Sequence, residues 1–285
     1  MIDSRALRLV TSWVLLVGTL PWATGCNTNV QPVPGDEPPE IPPASTLVMD
    51  FDEFAAQDGG AAKGHPTNYD LTTMQAAPGS NWSWAALKVG VWSVVITVGL
   101  VVPVAAFLES FNHEPQQQSD GSWVWSYDVN VGGVTHTAEL HALAVGGDIE
   151  WNMFISKEGH YTNFNWFSGV SNLIATEGTW ALNKNPDDPT PLVGIDWTRN
   201  PADETGDIRY TNIVPGGPEN GGYIYHGITT DAFDAFFEIY NKGQDSLTYI
   251  EWNRTTKDGR IEDSARFGDE EWHCWDTDLQ NTDCP

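Results

Sequence analysis

The chain of 285 residues carries 39 Asp and Glu against 13 Lys and Arg, a formal net charge of −26. So acidic a surface repels nucleic acid and anionic headgroups, which counts against both as direct partners. High charge can also mark disorder, but 14 Trp, 11 Phe and 8 Tyr supply the large side chains that a packed core needs. The acidity itself serves solubility or, with Lys scarce and Asp abundant, adaptation to salt.

Arg5 and Arg8 precede a short apolar run from Val10 to Leu20. The run falls short of the ~20 residues that cross a bilayer, and its length and basic flank suit a secretory signal. It ends in Pro21-Trp22-Ala23-Thr24-Gly25-Cys26, with small residues directly before the cysteine. This stretch resembles the lipobox of bacterial lipoproteins, with Ala23 where leucine is commoner. The resemblance implies removal of residues 1–25 and a lipidated Cys26 that anchors the mature chain to a membrane. In that family an aspartate after the cysteine holds the protein at the inner membrane. Asn27 in that position therefore implies the outer membrane. From Asn27 to Ser45 the chain holds Pro32, Pro34, Pro38, Pro39, Pro42 and Pro43 and little to bury. It reads as an extended tether over 26–45, followed by a single domain over 46–285.

Val89 to Leu108 contains no charged residue and lies between Lys88 and Glu109. As a helix such a run is long enough to span a bilayer. Three structures fit it: a membrane span, a helix apolar all round because protein surrounds it, or two buried strands parted at Gly99 or Pro103. Ala105, Ala106, Phe107 and Leu108 favour helix at its end, and we expect an apolar helix at about 84–111 wrapped by a sheet formed from the rest of the chain.

From Ser122 onward the period is two. Trp123, Trp125, Tyr127, Val129 and Val131 alternate with polar residues, and Gly132-Gly133 ends the run. Val134–Val145, Ile149–Ile155, Tyr161–Phe167, Thr179–Asn183 and Val193–Thr198 continue it. Ile208–Val214, Gly222–Ile228, Phe233–Tyr240, Leu247–Asn253 and Arg260–Phe267 come next. Gly, Asn, Asp and Pro punctuate these runs, which is the pattern of an antiparallel meander. A sheet this large leaves costly edges if flat. The expected fold is mainly β (α+β), a meander forming a curved half-barrel or barrel around one apolar helix.

In outline this architecture resembles the half-barrel carriers and acceptors of lipoproteins, although no motif is shared. The resemblance implies an apolar cavity for a hydrophobic or lipid ligand, lined by aromatic residues such as Trp123, Trp125, Trp151 and Trp166. The alternative is that these four fill the core. A structural or adhesive surface lipoprotein without a small ligand is the second functional reading. The loop Pro215–Gly222 would serve it, since loops carry function more often than strands.

Catalytic motifs are missing: there is no G-x-S-x-G, no H-E-x-x-H and no phosphate-binding glycine loop. Gly169-Val170-Ser171 lacks the second glycine of a nucleophile elbow. His136 and His141 fall on opposite faces of one strand. Glu150, Asp196, Asp234 and Glu251 could pair for glycoside hydrolysis, as could other acids of this chain. Asp276, Asp278, Asn281 and Asp283 have spacings seen in calcium loops, but the EF-hand glycine and glutamate are absent. No cofactor or metal is expected. Cys274 and Cys284 are the two cysteines left after Cys26, and a disulfide between them suits an exported chain.

Overall fold

Alternating apolar and polar residues make a strand that can bury one face and wet the other. In the computed structural model, which describes residues 37–54 and 80–285 without the side chains of residues 94–98, such runs build one sheet. Its strands are β1 (Gln116–Gln117), β2 (Trp123–Val131), β3 (Val134–Val145), β4 (Asp148–Lys157), β5 (Tyr161–Asn172), β6 (Glu177–Asn185) and β7 (Asp188–Asn200). They continue with β8 (Thr205–Asn212), β9 (Tyr223–Ile228), β10 (Ala235–Asn241), β11 (Ser246–Trp252), β12 (Gly259–Glu262), β13 (His273–Trp275) and β14 (Asn281–Thr282). Each strand pairs antiparallel with its neighbours in sequence, giving a 14-stranded meander. The expected signal, Cys26 and the first part of the tether lie outside the described residues.

The protein is mainly β, but the barrel is not realised. The sheet runs from β1 to β14 and these two do not pair. Each is only two residues long. Such stubs offer little edge to zip together and blunt the ends against unwanted pairing.

The uncharged run forms one helix, α1 (Asn81–Ser110), so the two-strand alternative is excluded. It begins three residues before the expected start, because Ser80 caps it: the Ser80 Oγ accepts a hydrogen bond from the Ser83 amide at 3.1 Å. Ala85, Ala86, Val89, Leu100, Val104, Ala106 and Phe107 are buried and share one core with the strands. Protein therefore covers this face of α1. Val91 and Val101, 52% and 44% exposed, lie off this buried face. The helix touches β2, β3 and β4 on one flank of the sheet and β10, β12 and β13 on the other.

The inner face of the sheet alternates large and small residues across strands. Registered side by side are Trp123 (β2), Ala142 (β3), Trp151 (β4), Gly169 (β5) and Trp180 (β6). Gly169 is required there, because a Cβ would lie 2.3 Å from the Trp180 ring and 2.2 Å from the Thr179 carbonyl oxygen. The row then passes through Ile195, Tyr210, Ile224, Ile239 and Thr248.

The segment before α1 also belongs to this core. Thr46, Leu47, Met49 and Phe54 are buried. The Tyr210 hydroxyl donates to the Leu47 carbonyl at 2.7 Å and accepts from the Met49 amide at 2.7 Å. Packing starts before residue 46, since Pro42 is buried and Arg199 lies 3.8 Å from Glu40. The end of the expected tether is thus part of the domain.

One expected strand divides in two. Arg260–Phe267 supplies β12 and then a single helical turn, α2 (Ser264–Phe267). Asp263 breaks the strand by capping that turn, with its side chain accepting from the Arg266 amide. Gly268 ends the turn at φ +82°, a left-handed conformation natural to glycine.

Candidate functional site

Strand parity places Trp125 and Trp151 inward, with ring centroids 6.0 Å apart. Trp151 is fully buried and donates its Nε1–H to Ser171 Oγ at 2.9 Å. That bond occupies the serine of Gly169-Val170-Ser171. Trp166 is buried at a bulge of β5 beside Tyr161 and Phe164, at 6.0 and 5.3 Å, apart from the other two. Trp123 is half-buried. None of the four lines the groove that opens between α1 and β10–β11. His136 faces inward and is buried, whereas His141 lies beside Glu139 on the other face. Asp276 is spent on a turn, its Oδ1 accepting from the Asp278 and Gln280 amides at 3.0 Å each. Cys274 and Cys284 form a disulfide.

A different feature stands out where α1 meets the later strands. Lys88 lies one turn after Trp84, and both reach the same carboxylate. Asp263 Oδ2 accepts from Trp84 Nε1 at 2.9 Å, from Lys88 Nζ at 2.9 Å and from Thr248 Oγ1 at 3.2 Å. Burial alone would raise the Asp263 pKa. The donated bonds from Trp84 and Lys88 and the ammonium charge outweigh it and hold the carboxyl below its ordinary value. This charged clasp pins the first half of α1 against β11 and the β12–α2 corner.

Beyond the clasp the helix and sheet part, leaving a groove of about 330 Å³. Lys88, Val91 and Trp92 form the helix side. Ile239 and Thr248 form the sheet side, and Asn212, Asn241 and Glu219 edge the far end. Glu219 ties its loop to the β10–β11 turn by accepting from the Gly243 amide at 3.1 Å. The walls are largely apolar, and Lys88 is the only cation among the lining residues. Its ammonium has three hydrogens and spends one on Asp263, so donors remain for a ligand oxygen. Apolar walls with a few polar groups at the ends suit a bound ligand.

Sequence reasoning singled out tryptophans and missed Lys88, Trp92, Thr248 and Asp263. One signal was present: Lys88 is the last charge before the long apolar run, and such a boundary residue must find water or a partner.

Among models of protein families, curated proteins and solved structures, none matches this chain.

Proposed function

We propose that this chain is an exported, lipid-anchored binding protein that holds a small amphiphile in the groove between α1 and β10–β11. The observation that carries the reading is the groove itself, with an ammonium at one end and Val91, Trp92 and Ile239 along its walls. A ligand with one oxygen-bearing head and a short apolar tail complements both features. In this reading the open sheet curls as a half-barrel around α1, whose contacts with both flanks support the curl. The lipobox-like stretch ending at Cys26 supports a membrane anchor, and the Cys274–Cys284 disulfide suits an oxidising compartment outside the cytosol. The outer membrane is the proposed location, from Asn27.

The test is native mass spectrometry of residues 27–285, secreted without the lipid and purified without detergent, with added dansyl-labelled fatty acid as probe. Bound amphiphile that is lost in Val91→Asp supports the reading. A folded chain that carries no adduct and does not take up the probe overturns it. For the anchor, Cys26→Ser should abolish labelling by radioactive palmitate, and unchanged labelling would refute it.

The adhesive alternative has its own observation. On the outer face of β8–β10, the Arg209 guanidinium lies 3.6 Å from the Tyr223 ring centroid, and Tyr223 lies 5.7 Å from Tyr240. An aromatic, arginine-bearing sheet face of this kind suits a protein partner. Loss of cell-surface attachment in Tyr223→Ser, with probe binding intact, would favour it.

A further inference from the structure

The sheet has two ends, and one of them exposes aliphatic side chains. The β3–β4, β5–β6 and β7–β8 turns share that end, as the antiparallel order requires. Leu143 and Val145 stand at the end of β3, Val170 near the end of β5, and Leu173 and Ile174 in the β5–β6 turn. All five are exposed, Leu173 by 50% and Ile174 by 68%. Among the described residues they make up half of the exposed large apolar side chains. Register gathers them. Glu150 pairs with Leu143 on one side and Val170 on the other. Asp148 pairs with Val145 on one side and with Asn172, next to Leu173, on the other.

The exposure is built into the β5–β6 turn. The Asn172 side chain accepts from the Thr176 amide at 2.9 Å and donates to Thr176 Oγ1 at 2.7 Å. Ala175 is buried. Arg199, at the end of β7, donates its amide to the Thr176 carbonyl at 2.8 Å and its Nε–H to the Ala175 carbonyl. These bonds hold the turn from within and leave Leu173 and Ile174 outside the core. The same arginine marks where the chain enters the domain. Its guanidinium lies 3.8 Å from Glu40, and the chain then runs inward through buried Pro42 to Leu47. In the sequence, residues 27–39 separate Cys26 from this point.

Single exposed apolar residues are ordinary, but five on neighbouring hairpins form a patch, and patches mark contact sites. A second copy would bring Asp148, Glu150 and Glu177 against their own counterparts, on chains of net charge −26. Protein interfaces favour Tyr, Trp and Arg, which the β8–β10 face carries and these five positions do not. A bilayer of zwitterionic lipid has no net charge to repel the carboxylates, and its hydrocarbon takes up aliphatic side chains. The point of entry is also the part of the domain whose distance from an anchor at Cys26 a tether limits most tightly. We infer that the β3–β4 and β5–β6 tips are a membrane-contact site, dipping into a zwitterionic bilayer and orienting the domain on it. The choice of a membrane rests on the proposed anchor at Cys26. The β8–β9 loop and β10–β11 turn, which edge the amphiphile groove, belong to the opposite end of the sheet, so this orientation turns that edge toward solution.

The test is co-sedimentation of residues 27–285, made without the lipid, with sucrose-loaded phosphatidylcholine vesicles. The native tips should give partitioning at millimolar lipid. Leu173→Asp combined with Ile174→Asp, two exposed changes, should weaken it about tenfold or more while leaving the thermal melt in place. Val91→Asp, on α1, should leave partitioning unchanged. Hydrogen exchange with vesicles present should slow at 146–147 and 173–174, and not at 158–160 or 186–187, the turns of the opposite end. No partitioning, or full partitioning in the double variant, overturns the inference. Partitioning abolished by Val91→Asp, or protection confined to the opposite end, would move the contact to another face and overturn it as well. The chain tested carries no lipid, so the result is separate from palmitate labelling. Labelling at Cys26 without partitioning refutes the tips alone, and partitioning without labelling refutes the anchor alone.

Discussion

Lys88 Nζ lies 2.9 Å from Asp263 Oδ2, joining a residue on the second turn of α1 to one between β12 and α2. The Asp263 side chain is wholly buried and that of Lys88 is 18% exposed. Breaking such a pair leaves a buried charge alone, at a cost of about 3–5 kcal/mol. Asp263→Ala should therefore destabilise the domain by about that amount, since it also removes the cap of α2. Urea denaturation at pH 7 would measure it, and a loss below about 1 kcal/mol would show that the clasp is dispensable.

The same carboxylate predicts an acid limb. Its pKa is depressed in the folded state, so its contribution is complete above the unfolded value of about 3.9 and lost as pH falls through the folded value. The native chain should lose stability below about pH 4. Asp263→Asn, already weaker at pH 7, should lose less between pH 7 and pH 3 than the native chain does. Parallel urea titrations at the two pH values give the comparison.

Tyr210 should act as a clamp on the segment before α1. Tyr210→Phe keeps the ring and removes the hydroxyl that both satisfies the Leu47 carbonyl and accepts from the Met49 amide. Two buried backbone groups then lack partners, a cost of about 1–3 kcal/mol each before relaxation. Hydrogen exchange should report fast exchange at Met49 in the variant, with the β3–β4 amides still protected.

Much of the sheet was legible because alternation survives wherever pairing is regular. Trp125, Tyr127 and Val129 point inward in β2, as parity requires. The pattern fails at Trp166 and Phe167, consecutive and both buried, because a bulge in β5 lets Phe167 pair with Met153 and Asn165 with Phe154. Nothing local in Phe164-Asn165-Trp166-Phe167 marks the bulge. Closure was illegible for another reason. Strand count does not reveal that the end strands are stubs, nor that α1 and the turn at Asp52–Phe54 fill space a closed barrel would have to cover. The groove was hidden because Lys88 meets Asp263 and Thr248 only through tertiary contacts, from positions far along the chain.

Two glycines should respond oppositely to alanine. Gly169→Ala forces a Cβ to within 2.2 Å of the Thr179 carbonyl oxygen, which is backbone and cannot step aside. A loss of about 1–3 kcal/mol or more is expected from overpacking. Gly99 lies inside α1, where among the described residues a Cβ would meet Leu192 Cδ2 at 3.4 Å, an ordinary contact. Gly99→Ala should stabilise by about 0.5–1 kcal/mol through helix propensity. Thermal melts of the two variants side by side would test the pair of signs.

His226 predicts a second pH window, near neutrality. Its ring faces inward between Phe237 at 4.6 Å and Trp252 at 5.7 Å, and its Nδ1 lies 2.9 Å from the Phe236 carbonyl oxygen. A carbonyl only accepts, so Nδ1 carries the proton of the neutral ring. Burial pushes the pKa down, and the bond to Phe236 offsets only part of this. A histidine whose folded pKa is depressed contributes stability above its unfolded value of about 6.5, and loses it as pH falls through the folded value. Stability should therefore begin to decline below pH 6.5, ahead of the carboxylate limb, with a slope of at most about 1.4 kcal/mol per pH unit from this group. His226→Asn keeps an N–H donor but does not titrate, and should flatten the decline between pH 6.5 and pH 5. Proton NMR supplies the direct check: the His226 Cε1–H should titrate below 6.5. A midpoint at or above that value would mean that the ring charges without penalty, and that it is not sealed between Phe237 and Trp252 in solution.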